Sequence, residues 1–362
     1  NADCADFLSA ETYASGSCRR SISTRFRVKA SNAMTVDWNS PVLASLKPVV
    51  SGSSLVKINE ERLISVADWM AYEEFAKPDG SMLFDFGNDP DFLMDFTLVV
   101  NTMNFAFTNF DTGVKFETDY MGKRWCDSEA MLASLHRAHH AGIPFFTGEY
   151  LANLTRKDLE QVFAGTIEMP MLDERVTIFN EVGRVLVEKY QGRYSNFVRE
   201  CAPRLYDNGN GLLERLTTEF PRFNDVSDYN GSKVQIFKLA QLGIWGMHLA
   251  LSPRKAWALE DADKLTAFAD YIVPVGMRVT KIFEYAPALE EQINSLTEVL
   301  RDSQAEIELR ANSIYAIARL TEEINKRRPG MEPLLQPQVD FRFWKTYHAT
   351  HWPHHLTKTV MY

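Results

Sequence analysis

Apolar and polar positions recur with helical period along most of the chain, and one stretch organises the rest. Residues 234–251, VQIFKLAQLGIWGMHLAL, hold twelve apolar residues in eighteen and one formal charge, Lys238. Pro253 follows at once. The pattern predicts a buried helix that ends where proline stops helices. Gln235, Lys238, Gln241, Trp245 and His248 follow one another at spacings of three and four. They form one polar stripe along that helix. Burying an unpaired ammonium is strongly unfavourable. The stripe should therefore face a carboxylate or a polar cavity, against the plainer reading of a lysine snorkelling at a helix edge. The same polar residues make the stretch a poor membrane span.

Helical period also marks residues 60–75, 127–141, 173–190 and 194–201, and 154–163 with Thr155 as N-cap. Residues 91–107 form a second apolar run containing Asn101 and Asn104. A further helix is expected over 259–270, ending near Pro274. Long amphipathic helices with solvated charged faces are expected over 287–302 and 305–326. Residues 114–125 alternate around a glycine and predict a β-hairpin. Pro41, Pro48 and Gly52 make 40–54 loop-like, and 326–337 reads as a loop. The expected fold is mainly α: a single large helical domain, residues 41–362, with one small β-hairpin element. Residues 1–40 are set apart. Ser- and Arg-rich, acid-free 15–33 gives them the character of a leader or disordered segment, whether transit peptide or expression scar.

Composition narrows the partners. The chain is globular in type, with 362 residues, 45% apolar and 24% charged. A net charge of −9 disfavours duplex DNA or RNA, whose phosphates need a basic surface, though a local pocket for one phosphate is compatible. Cys4, Cys18, Cys126 and Cys201 are widely spaced and form no CxxC, which suits a reducing compartment. With no apolar run that reads as a membrane span, the expected location is cytoplasmic, or an organelle if residues 1–33 are a native leader. His136, His139 and His140, and His348, His351, His354 and His355, have zinc-like spacing. Neither group has the Cys or Glu of a zinc pattern, so an exposed helix face and a packed aromatic tail are expected instead. No GxGxxG, Walker A, GxSxG or HExxH is present. Asp270, in LTAFADYIVP, is flanked by apolar groups. A carboxylate there pairs with a cation, serves chemistry, or caps a helix end, and composition alone favours the cap.

Several segments together resemble the queuosine salvage proteins, the queuosine 5′-phosphate N-glycosylases. They are LVVNTMNFAF (98–107), YMGKRW (120–125), GIPFFTGEYLANLT (142–155), MPMLDERVTIFNEVGRVLVEKY (169–190), FPRFNDV (220–226), IFKLAQL (236–242), FADYIVP (268–274), EIELRANSIYA (306–316) and HHLTKTVMY (354–362). The resemblance spans residues 58–362. It implies a mainly helical fold distantly like helix-hairpin-helix DNA glycosylases. It also implies hydrolysis of the N-glycosidic bond of queuosine 5′-monophosphate, releasing queuine for reinsertion into tRNA, with no metal or cofactor. The family's catalytic Asp matches Asp270 in FADY. Its active-site Lys matches Lys238, with Ile236 in the first place of the motif. Phe268 and Asp340 are implied to line the base pocket, with Tyr271 and Phe341 beside them. Asn104, Trp245 and Lys345 complete the expected substrate contacts, Trp245 and Phe268 as stacking surfaces for the flat base.

Cleaving a glycosidic bond builds positive charge on the ribose. A fixed carboxylate stabilises that charge and orients the attacking water, the role expected of Asp270. Lys238 would hold Asp270 ionised, contact the 5′-phosphate, or both. Three positions depart from the family: Asn101 and Lys345 stand where it usually has Asp, and Thr108 where it has Trp. They keep open an N-glycosidase for another purine or 7-deazapurine nucleotide. A non-catalytic nucleotide-binding protein of the same fold is the third reading.

Overall fold

The computed structural model describes residues 38–77 and 79–362. The leader expected over residues 1–40 lies outside them except for its last three positions. Trp38 stacks on Tyr315 with centroids 5.6 Å apart, and the Ser40 hydroxyl accepts a bond from the Leu43 amide.

The described chain is mainly α. Its strands form three two-stranded antiparallel pairs. The expected hairpin is there, Glu117–Tyr120 against Lys123–Cys126. It turns through Met121 and Gly122, both at positive φ (51° and 74°), as a tight right-twisted hairpin requires. Two pairs were not expected. Val226–Tyr229 pairs with Ser232–Gln235, and Val56–Ile58 pairs with Phe283–Tyr285 across more than half the chain. Strands of three and four residues give periodicity too little to act on.

The buried helix runs over Lys238–Leu251, four residues shorter than its apolar pattern. Val234 and Gln235 belong to a strand instead. Phe237 then takes a left-handed φ of 51°, so Lys238 is the first helical residue. Across this helix lies Pro90–Thr102, the other apolar run. Two glycines allow the close approach. A Cβ at Gly246 would sit 2.9 Å from Thr97 Cγ2, and one at Gly243 3.1 Å from Leu98. Both helices contribute to a contiguous apolar core with Leu172–Tyr190 and Tyr194–Glu200.

Several expected elements differ. Residues 259–270 are not a helix: a single 3-10 turn, Ala262–Lys264, leads into an extended run. Gln241 of the buried helix holds Thr266 of that run, while Asp340 and Arg310 hold Phe268 and Ala269, so local period does not decide its shape. The helix begins where it was expected to end, at Ile272–Val279. Pro274 sits in the first turn, where a missing N–H costs nothing. Residues 40–54 form two short helices, Pro41–Ser45 and Lys47–Gly52, for the same reason: their prolines open the first turns. Of 287–302 only Pro287–Asn294 is helical. The tail folds as Gln336–Tyr347 followed by an irregular strap.

The long helix Gln304–Lys326 corrects a second expectation. Its charges are not simply solvated, because Glu306, Glu308 and Arg310 are fully buried. Glu308 accepts the amides of Ser54, Leu55 and Val56 at 2.8–3.2 Å and the Tyr229 hydroxyl at 3.0 Å. It thereby ties the start of the described chain to its end. Of the first histidine cluster only His140 is exposed. His136 is buried, with Nδ1 2.8 Å from the Tyr120 hydroxyl and Nε2 2.9 Å from the Asp85 carbonyl. Among the described residues no helix is long and apolar enough to cross a membrane.

Candidate active site

The polar stripe of the buried helix is spent on the segment that carries Asp270. Gln241 Nε2 donates to Thr266 Oγ1 at 2.9 Å and to the Ile236 carbonyl at 2.9 Å, while its Oε1 accepts the Thr266 amide at 3.0 Å. His248 Nδ1 accepts the Leu259 amide at 3.1 Å. These bonds satisfy buried polar groups that a helix surface alone could not. They lay 259–270 along the helix, so Phe268 and Asp270 arrive beside its N-terminal end.

Asp270 is half-buried. Its Oδ1 accepts the amides of Ile272 (2.8 Å) and Val273 (3.0 Å), so the capping reading is correct as far as that oxygen goes. Oδ2 has no hydrogen-bond partner among the described residues. One oxygen fixes the carboxylate and the other remains available. Asp340, on the helix Gln336–Tyr347, is 4% exposed and accepts the Phe268 amide at 3.0 Å. Burial, then the neighbouring charge of Asp270, push its carboxyl up to about 8, against the opposing pull of the Phe268 amide and Lys238. Asp340 is thus predominantly a neutral acid at pH 7.

Lys238 is 6% exposed. Its ammonium has no hydrogen bond or ion pair among the described residues. Burial pushes it down to about 8, with Asp270 and Asp340 pulling upward and Arg310 and Arg222 downward. A buried lysine that feels two carboxylates but bonds to neither is arranged around something else.

The structure brings Lys238, Phe268, Asp270 and Asp340 together. Tyr271 is adjacent, its ring 4.5 Å from that of His354, and it lines a cavity of roughly 70 Å³ with Thr108, Phe107, His354 and Tyr362. Burial raises its phenol pKa. Trp245, Phe341 and Lys345 lie apart from these four. Trp245 is buried and stacked on His248 at 5.5 Å, about 10 Å along the helix from Lys238. Phe341 is 41% exposed and stacks on Trp344. Lys345 is exposed, because five residues rotate a helix by about 140° from Asp340. Asn104 is half-buried, its amide 3.5 Å from Asn101 Oδ1. Asn101 itself is buried against Gly243 and donates to the Thr97 carbonyl.

Sequence reasoning missed the groups behind the site. Asp225 binds Arg310 through both oxygens (3.0 and 2.7 Å) and accepts Arg301 at 3.2 Å. Burial alone would raise its carboxyl; Arg310 and Arg301 override that and hold it low. The signal was there in EIELRANSIYA, where charges at 306, 308 and 310 cannot all share one solvated face of a helix.

A buried neutral acid, a half-buried carboxylate and a buried lysine thus converge beside the N-terminal end of the buried helix. The family model of the queuosine salvage protein matches residues 84–362. The queuosine 5′-phosphate N-glycosylase/hydrolase of Sphaerobacter thermophilus is 31% identical over 324 residues, 89% of this chain and 97% of that one. The proteins of the same name from Schizosaccharomyces pombe and Mus musculus are 27% and 24% identical. They align over 80% and 74% of this chain and over 87% and 82% of their own. The chain belongs to the queuosine salvage protein family.

Proposed function

We propose that this protein hydrolyses the N-glycosidic bond of queuosine 5′-monophosphate, with Asp270 and Asp340 dividing the work of base and acid. The supporting observation is the asymmetry of the two carboxyls. Asp270 has one oxygen pinned by two amides and one free; Asp340 is buried and held neutral. A buried carboxyl held neutral beside a carboxylate with an unengaged oxygen is an arrangement in which acid and base roles separate.

As the C1′–N bond lengthens, positive charge grows on the ribose and negative charge on the base. Asp270 stabilises the first and takes a proton from the water that attacks C1′. Asp340 gives its proton, or a hydrogen bond, to the departing base. The products are queuine and ribose 5-phosphate, and no other reactant is consumed. The Phe268 ring, 6% exposed, offers a stacking face, and its amide holds Asp340. Lys238 offsets the two carboxyls and leaves its own donors for the substrate's anionic end. The exposure of Lys345 favours the queuosine reading over a base chosen by that lysine. Residues 41–362 carry the whole site; we propose a cytoplasmic enzyme acting on a free mononucleotide rather than a polymer.

The test is base release. Purified protein is incubated with queuosine 5′-monophosphate, queuosine, GMP and AMP, and free bases are read by mass spectrometry, with Asp270→Asn as control. Queuine from the monophosphate, lost in Asp270→Asn, supports the reading. A different base released instead transfers it to another nucleotide. No release from any of them refutes it.

A further inference from the structure

Two non-glycine residues in the site take left-handed backbone conformations: Phe237 at φ 51° and Ala269 at φ 40°. Each stands immediately before a reacting side chain, Lys238 and Asp270. Such conformations are disfavoured for residues with a Cβ and persist only where the surroundings enforce them. The surroundings here are one buried ion pair. Arg310 donates through Nε to the Ala269 carbonyl at 3.1 Å and through both terminal nitrogens to Asp225. Asp225 in turn holds the other strained turn. Its carbonyl accepts the amides of Ile236 (3.0 Å) and Phe237 (3.3 Å), and its Oδ2 accepts that of Lys238 (3.4 Å). The pair is itself enclosed. Arg310 is fully buried, Glu306 lies 3.4 Å from Nη1, and the Tyr362 ring covers the guanidinium at 4.3 Å.

We propose that Arg310 is a positioning residue which, through Asp225 on one side and the Ala269 carbonyl on the other, fixes the separation and orientation of Lys238 and Asp270. Arg310 touches neither the substrate nor the reacting atoms. It joins two chain segments that meet only in the folded protein and holds both in conformations they would otherwise leave. A planar fork with several fixed donors can do this; a lysine, with one point-like ammonium, cannot span the same acceptors. The inference rests on the assignment of Lys238 and Asp270 to base release.

The experiment compares Arg310→Lys and Ala269→Gly with the wild type. Arg310→Lys keeps the charge and loses the fork. Its kcat for base release falls about 100-fold with KM within about threefold, as for a misplaced reacting group. Glycine accepts the φ of residue 269 without strain, so Ala269→Gly folds and keeps its melting temperature while kcat falls about tenfold. This second variant decides the matter if Arg310→Lys does not fold. Titration of Lys238, followed by NMR of the isotopically methylated ammonium, needs no turnover. Its midpoint moves by about half a unit or more in Arg310→Lys, although no charge has been removed. Wild-type kcat in both variants with an unmoved Lys238 midpoint overturns the proposal and leaves Arg310 merely structural. A wild type that releases no base refutes the functional reading instead, and the titration still judges the brace.

Discussion

Gln241 and Thr266 bind each other reciprocally: the Gln241 amide donates to Thr266 Oγ1 at 2.9 Å and accepts the Thr266 backbone amide at 3.0 Å. This pair fastens the extended 265–270 run to the buried helix. It sets the place of Phe268 and Asp270 relative to Lys238, one helical turn before Gln241.

Gln241→Leu is nearly isosteric but leaves the Thr266 amide and the Ile236 carbonyl without their partner. Both residues are fully buried. Stability in urea should fall by about 2–3 kcal/mol, the scale of a buried group left unsatisfied. A loss under about 0.5 kcal/mol would show that the run is held by its apolar contacts alone.

Asp270→Asn and Asp270→Ala should separate chemistry from capping. Asparagine keeps an oxygen for the Ile272 and Val273 amides, so its melting temperature should match the wild type while base release drops at least about 100-fold. Alanine loses both, and should also cost about 1 kcal/mol of stability. Equal stability of the two variants would mean the cap contributes nothing.

The buried acid and lysine give a definite pH profile. Asp340 is raised from 3.8 to about 8 in the folded state. Its contribution is present below pH 4 and lost as pH rises through 8. Lys238 is lowered from 10.5 to about 8, and its contribution returns as pH rises from 8 toward 10.5. Together these groups place a minimum of stability near pH 8. Asp340→Asn should flatten the falling limb between pH 4 and 8 in thermal melts and leave the rise above pH 8. An unchanged falling limb would assign it to other groups.

Phe341 and Lys345 offer a negative control. Both are exposed, so Phe341→Ala and Lys345→Asp should leave KM for the nucleotide within about twofold and stability within about 0.5 kcal/mol. A tenfold rise in KM for either would place that face of the helix at the substrate.

Much of this protein was legible in its sequence, and the reason differs by element. The apolar run ending before Pro253 specifies a buried helix, because no other arrangement removes so many side chains from water. The polar stripe showed that this helix must have a polar counterpart. The Glu-, Gln- and His-containing helices and the Met-Gly hairpin follow from local period and turn chemistry. Family resemblance carried Asp270 and Lys238 onto their positions.

Other features required the tertiary structure. The 259–270 run has helical period yet is irregular, because residues distant in sequence claim its groups: His248 the Leu259 amide, Gln241 the Thr266 amide and Asp340 the Phe268 amide. Which carboxyl stays neutral depends on burial: Asp340 and Asp270 are the same residue type, separated by seventy positions, and packing raises Asp340. Arg310 looked like a surface charge on an amphipathic helix. Its partners Asp225 and Ala269 stand 85 and 41 residues away, and no local pattern brings them together. Sequence thus determined the principal buried helix and the long amphipathic ones, through effects acting over a few residues, and family resemblance supplied the candidate Asp270 and Lys238. Tertiary structure decided their protonation and mutual placement, since desolvation and ion pairing depend on distances that only the folded chain sets.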